Sequence, residues 1–100
     1  MKLMIALRYK HGLTEAEHDR ITQLWQKWSP PPGIEILAHY VTPDAKAFLI
    51  VETDSAEALF EMNSAWFPFC EYEVNPILEA SEAARIEDRA VTWRADVPLI

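Results

Sequence analysis

Three side chains of the 100-residue sequence could together form an acid–base site: Arg8, His39 and Glu52. An imidazole and a carboxylate a few ångströms apart can transfer a proton, and a guanidinium can hold an anionic or enolate oxygen. Each of the three lies in a segment where apolar and polar residues alternate, which is typical of β-strands. Whether they can act together therefore depends on the sheet face that each one occupies.

Two of these residues lie in a predicted β-hairpin. Segments 35–41 and 46–52 are rich in β-branched and aromatic residues, and a Pro-Asp pair between them is typical of a turn. A turn centred on that pair places His39 beside Phe48 and on the same face as Glu52. This face, which we call the mixed face, combines apolar and ionisable side chains, whereas the other is almost wholly apolar. A bulge would exchange these assignments.

The rest of the chain up to residue 79 predicts the other elements of one small domain. Alternation over 2–9 predicts the first strand, and a capping box at 14–17 begins a helix. A second helix follows the hairpin, and alternation resumes at 71–79 as a fourth strand, which Pro76 assigns to a sheet edge or ends early. The order βαββαβ predicts a ferredoxin-like α+β sandwich. Its four-stranded antiparallel sheet has the first and third strands central and both helices on one face.

Residues 80–100 predict a C-terminal helix and an extended arm outside this domain. Segment 81–90 predicts a short polar helix, and 91–99 alternates as an extended strand would. A tryptophan and four aliphatic side chains in this arm require cover from water. They either close over the chain's own helices or dock on a second subunit.

The acidic composition excludes two classes of partner. Nine basic and sixteen acidic side chains give a formal charge of −7, which repels phosphate backbones and anionic lipid, so we expect no nucleic acid and no membrane. Arg8 and Lys10 interrupt the apolar N-terminal run too early for a signal peptide, and we interpret it as a strand of a cytoplasmic protein. The single cysteine, Cys70, allows no internal disulfide and fits a reducing compartment.

Other candidate groups favour structural roles. Two histidines near the start of the first helix lack the ligand set of a metal site. Trp25 and Trp28 fall on the buried stripe of that helix and are interpreted as core residues. Glu71 beside Cys70 would raise the thiol pKa, which disfavours a catalytic thiolate. We expect no cofactor and no metal.

Several short segments resemble a small uncharacterised bacterial family within the dimeric α+β-barrel superfamily. They are the opening strand 1–4 with Arg8-Tyr9, the hairpin with His39, the junction 48–54, Trp66, and strand 74–77. The resemblance covers roughly residues 1–79. It implies a homodimer in which two four-stranded sheets face each other across a barrel lined by the mixed faces. Superfamily members include cofactor-independent monooxygenases, haem-degrading monooxygenases and muconolactone-type isomerases.

The predicted function is binding of a small molecule at the mixed face. Arg8, His39 and Glu52 are the predicted catalytic residues, and the predicted pocket adds Phe48, Trp66, Glu73 and Asn75. The resemblance implies a cofactor-independent monooxygenase or isomerase acting on a small aromatic or lactone-like compound. The alternative is a non-catalytic binding or assembly module. In that case Arg8 pairs with Glu52, and His39 is satisfied at a dimer interface.

Overall fold

The computed structural model describes residues 1–98, in which four strands form one antiparallel sheet and three helices accompany it. The elements are β1 Lys2–Tyr9, α1 Glu15–Lys27, β2 Glu35–Val41, β3 Lys46–Glu52, α2 Ala56–Ser64, β4 Cys70–Pro76 and α3 Ala80–Asp96. The sheet order is β2-β3-β1-β4. The predicted βαββαβ topology, with the first and third strands central, is confirmed.

Local hydrogen bonds fix where the first two helices begin. Thr14 Oγ1 accepts from the Glu17 backbone N–H at 3.1 Å, and Glu17 Oε1 accepts from the Thr14 N–H at 3.2 Å, which confirms the capping box of α1. Ser55 Oγ caps α2 by accepting from the Ala58 N–H at 3.0 Å. The prolines at 30–32 follow α1 closely and prevent its continuation.

The core lies between the sheet and the helices α1 and α2. Ile5 of β1 and Val51 of β3 are fully buried, and Leu3, Leu49 and Met62 of α2 pack with them. The helices therefore cover one side of the sheet, which we call the covered face. The opposite side, the open face, carries Lys2, Met4, Ala6 and Arg8 of β1, Lys46, Phe48, Ile50 and Glu52 of β3, Ala38 and Tyr40 of β2, and Glu71, Glu73 and Asn75 of β4.

The β2–β3 hairpin has a different register from the predicted one. Its loop contains three residues rather than two, because Ala45 adopts a left-handed conformation (φ 64°) and the Thr42 N–H donates to the Lys46 carbonyl at 2.8 Å. His39 consequently pairs with Leu49, not with Phe48. The predicted placement of His39 on the mixed face is wrong, since a shift of one residue moves a side chain to the opposite side of a sheet.

A β-bulge at Leu37 then restores the predicted register at the other end of β2. The pairing shifts between Ile36, which lies opposite Val51, and Ala38, which lies opposite Ile50. Glu35 and Ile36 keep their predicted faces, whereas the residues after the bulge exchange theirs. The covered face therefore receives His39 and Val41, the residues of β2 that lie between the bulge and the hairpin loop.

The helix α3 replaces part of the predicted extended arm. Residues 91–96 continue the helix, so the strand prediction for them is wrong; Leu99, the last aliphatic residue of that prediction, lies outside the described residues. The sequence contains no Gly or Pro between 77 and 97, and its apolar residues also fall at helical spacing.

The third helix projects from the rest of the domain. None of its residues is buried, and the described chain measures 63 × 30 × 24 Å. The radius of gyration is 18.6 Å, against about 13 Å for a compact domain of this length. The helix α3 therefore does not close over α1 and α2. No helix of the described residues is long and apolar enough to cross a membrane.

We expect Ala45→Gly to stabilise the protein by up to about 1 kcal/mol. The left-handed conformation costs an alanine about 1–2 kcal/mol, and a glycine avoids this cost. The gain is larger than the stability lost because glycine has more conformational entropy in the unfolded chain. Urea unfolding measures the change, and Ala45→Val is the matched control because a β-branched residue in the left-handed region must destabilise. A loss of stability on Ala45→Gly would contradict the three-residue loop.

Candidate functional site

A cavity of ≈ 290 Å³ lies between the covered face and the helices α1 and α2. It occupies the end of the sheet where β1 and β2 finish and β3 and β4 begin. Its volume is close to the lower limit of about 300 Å³ for small-molecule sites. The residues that line it are mostly apolar, with a few polar groups among them: Ile5, Leu7, Tyr9, Ile21, Thr22, Trp25, Trp28, His39, Val41, Ala45, Ala47, Leu49, Met62, Asn63, Trp66, Cys70 and Tyr72.

Three tryptophans form one wall of this cavity. Trp25 on α1 and Trp28, the C-cap of that helix, stack with their ring centroids 5.5 Å apart and 18° between their planes. Trp66, which follows α2, lies 5.9 Å from each of them. The interpretation of Trp25 as a core residue is wrong, because 46% of its surface is exposed at the mouth of the cavity. The wall is a rigid aromatic surface suited to contact with another ring.

Two buried polar atoms at the cavity have no hydrogen-bond partner within the described chain. They are Asn63 Oδ1 on α2 and Tyr72 Oη on β4. A buried, unsatisfied polar atom costs roughly 1–3 kcal/mol, and native proteins usually satisfy such atoms with protein, water or a bound molecule. Both residues line the cavity, but the two atoms themselves are closed to water, so a molecule in it reaches the acceptor and the hydroxyl only when these side chains turn toward it.

Burial keeps the Tyr72 hydroxyl protonated. The pKa of Tyr72 is raised far above its ordinary value by burial, with a smaller contribution from neighbouring Cys70. A tyrosine hydroxyl is already neutral at physiological pH and burial strengthens that preference, so Tyr72 is a neutral hydrogen-bond donor there. Asn63, only 7% exposed, offers a carbonyl oxygen as acceptor.

His39 and Cys70 are two further polar residues that line the cavity. The His39 ring makes an edge contact with the Trp25 ring, with 5.4 Å between the two centroids, and His39 is exposed at the mouth of the cavity. Cys70 is buried, and burial raises its pKa, while Lys10 lowers it slightly. Burial, and not the adjacent Glu71 as the sequence suggested, raises the pKa, since Glu71 points to the open face.

The structure does not assemble the predicted trio of Arg8, His39 and Glu52. Arg8 Nε donates to Glu71 Oε2 at 2.9 Å. Arg8 lies opposite Lys46, the first residue of β3, and Glu52 is the last, so the two are about 20 Å apart along the sheet. His39 is on the other side of the sheet. Within one chain Arg8 and Glu52 do not pair, and Glu52 Oε1 accepts from the Met1 amine at 2.5 Å. The ion pair predicted between Arg8 and Glu52 at a dimer seam stays a prediction.

The other predicted pocket residues divide between the two faces. Trp66 joins His39 at the cavity through their shared neighbour Trp25. Phe48, Glu73 and Asn75 lie on the open face. There, Phe48 and Glu73 border a second depression of ≈ 340 Å³ that also includes Arg8, Lys46 and Glu71. Charged residues border this depression, and among them Arg8 pairs with Glu71. The aromatic cavity is the stronger candidate, because small-molecule sites are mostly apolar with a few polar groups.

Sequence reasoning did not identify Asn63 and Tyr72 as site residues. The signal was present, because Asn63 is a polar residue on the buried stripe of α2 and Tyr72 carries a hydroxyl on an otherwise apolar strand face. A polar side chain at a position whose neighbours are core residues needs a partner. Among the described residues, no group of three or more His, Cys, Asp or Glu side chains could hold a metal ion.

We expect Cys70 to react with Ellman's reagent at pH 8 at least about tenfold more slowly than an exposed cysteine. Burial raises its pKa and so lowers the fraction of reactive thiolate, besides blocking access. The control is Ala16→Cys in a Cys70→Ser background, since residue 16 is exposed on α1. Equal rates in the folded proteins would contradict the burial of Cys70.

Comparison with known proteins gives a family and no activity. No curated protein matches the chain. A family model described as a domain of unknown function, DUF3303, matches residues 1–91, which include every element that forms the cavity and most of α3. The chain belongs to the DUF3303 family.

Proposed function

We propose that this protein binds a small, uncharged aromatic molecule in the cavity between the covered face and the helices. The observation that carries the proposal is the pair of buried, unpartnered polar atoms, Asn63 Oδ1 and Tyr72 Oη, on two residues that line a cavity with a tryptophan wall. Either feature alone is common in proteins. Together they supply the apolar surface and the few fixed polar groups that small-molecule sites require.

The polar atoms define the chemistry of the ligand. Asn63 Oδ1 accepts, so the ligand needs an O–H or N–H donor. The neutral Tyr72 hydroxyl can donate, so the ligand also needs a carbonyl or similar acceptor. A flat ring between these groups can contact Trp25, Trp28 and Trp66. A charged ligand is disfavoured because it would lose its hydration in an apolar cavity.

Binding, rather than a particular reaction, is what this geometry supports. The monooxygenase or isomerase activity that the resemblance implies relied on Arg8 and Glu52 beside His39, and those two residues lie on the other face. His39 at the mouth is the lining group best suited to proton exchange with a bound molecule. It would act there without the predicted carboxylate.

The open face supports the alternative prediction of an assembly module. Met4, Ala6, Phe48 and Ile50 form an apolar centre that neither α1 nor α2 covers. An antiparallel sheet that faces water normally shows polar residues on that side. Contact with a second copy through this face, as in the dimeric barrel that the resemblance implies, is compatible with ligand binding on the covered face.

We expect 4-hydroxybenzaldehyde to bind the wild-type protein at about pH 6, where its phenol is uncharged, because its hydroxyl can donate to Asn63 and its aldehyde can accept from Tyr72. Isothermal titration calorimetry measures the affinity. Asn63→Leu and Tyr72→Phe should each weaken binding by about tenfold, the value of one buried hydrogen bond. Asn75→Leu is the matched control, since Asn75 lies on the open face.

Two related compounds test the proposed contacts. 4-Methylbenzaldehyde lacks the donor, so it should bind the wild-type protein about tenfold more weakly than 4-hydroxybenzaldehyde does. The two compounds should bind Asn63→Leu with equal affinity. 4-Hydroxybenzoate carries a charge and should not bind measurably. Binding that survives Asn63→Leu and is lost in Asn75→Leu would place the site on the open face instead.

We expect Asn63→Leu to increase the free energy of unfolding of the ligand-free protein by about 1 kcal/mol or more. Leucine has a similar volume, and the substitution removes a buried acceptor that has no partner. Urea denaturation gives the difference, with Asn75→Leu again as the control. A destabilised Asn63→Leu protein would mean that the amide makes an essential contact within the chain.

A further inference from the structure

The exposed helix α3 carries a seam of apolar residues at coiled-coil spacing. The seam consists of Ala83, Ile86, Ala90 and Trp93 of α3 and of Val97, its C-cap, at intervals of three, four, three and four residues. Ile86 is 46%, Trp93 67% and Val97 45% exposed. In proteins, most of the stability of a helix comes from packing of its apolar face, so the apolar seam needs a partner.

The sizes of the seam residues fit a second copy of the same helix in antiparallel orientation. The seam alternates between two heptad positions, one held by Ala83, Ala90 and Val97 and the other by Ile86 and Trp93. In an antiparallel pair, each of these positions faces the other one across the interface. Trp93 then lies against Ala90 of the second copy, and Ile86 against Val97. A parallel pair would stack Trp93 on Trp93 and Ala90 on Ala90, which crowds one layer and leaves a gap in the next.

The charged residues beside the seam also favour the antiparallel orientation. In the antiparallel pair, Glu87 faces Arg94 of the second copy and Arg89 faces Asp96, and twofold symmetry repeats both pairs. A parallel pair instead brings Glu82 to Glu87 and Arg89 to Arg94, so that like charges meet. Within the described chain, the salt bridge of α3 is Glu82–Arg85 at 3.6 Å, which leaves the other four side chains available.

We propose that α3 is a dimerisation helix whose partner is the α3 of a second copy of this chain, packed antiparallel. The projection of α3 from the domain makes this contact possible without rearrangement of the sheet. The pair covers Trp93 and Ile86, which the chain's own helices leave in water. The proposal is independent of the ligand at the cavity, because α3 contributes no residue to it.

Charge reversal tests both the contact and its direction. Sedimentation equilibrium of the full chain at low salt should show a dimer. Glu87→Arg and Arg94→Glu should each weaken it by about tenfold, because each turns two attractive pairs into repulsive ones. The double variant, Glu87→Arg with Arg94→Glu, should restore the wild-type dimer. In a parallel pair, each single reversal would strengthen association instead, and that result would overturn the proposal.

Two further variants separate this contact from others. Asp88→Arg makes the same change of charge on the far side of α3 and should leave the dimer unchanged. Phe48→Glu disrupts the open face and should also leave it unchanged. A monomeric wild-type protein, or a dimer lost with Phe48→Glu but insensitive to the α3 reversals, would overturn the proposal. Circular dichroism checks that each variant keeps its helix content.

Discussion

The register between β2 and β3 is the constraint on which the arrangement of the site depends. Side chains alternate between the two faces of a sheet, so each residue gained or lost in a connection reassigns every residue after it. Here the left-handed Ala45 lengthens the hairpin loop to three residues, and the bulge at Leu37 compensates for it. Between those two points, His39 is turned toward the helices and away from Arg8 and Glu52.

This division gives the two faces of the sheet different chemistry. The covered face combines the tryptophan wall with a few neutral polar groups in a low-dielectric space, where hydrogen bonds to a ligand are strong and charges are costly. The open face holds charged residues of the strands, and Arg8 there pairs with Glu71 of the neighbouring strand. Such exposed pairs contribute little stability, and their arrangement suits contact with another surface better than proton transfer.

The sequence was sufficient for the topology and insufficient for the site, for a physical reason. Helix starts and strand alternation depend on local residues, so the capping box at Thr14 and the order of the four strands could be read directly. The site depended on the exact length of one loop, and an alanine in a left-handed conformation has no sequence signature. The helix α3 was mistaken in part for a strand because apolar residues at 91, 93 and 97 fit both periods.

The unsatisfied atoms Asn63 Oδ1 and Tyr72 Oη also have a consequence for the lifetime of the protein. A molecule that satisfies them binds the folded state alone, and at a hundred times its dissociation constant it stabilises that state by about 2.7 kcal/mol. Because degradation in cells acts on the unfolded fraction, the empty protein would be removed faster than one that holds the proposed molecule. The cavity would thus make the abundance of this protein follow the supply of its ligand.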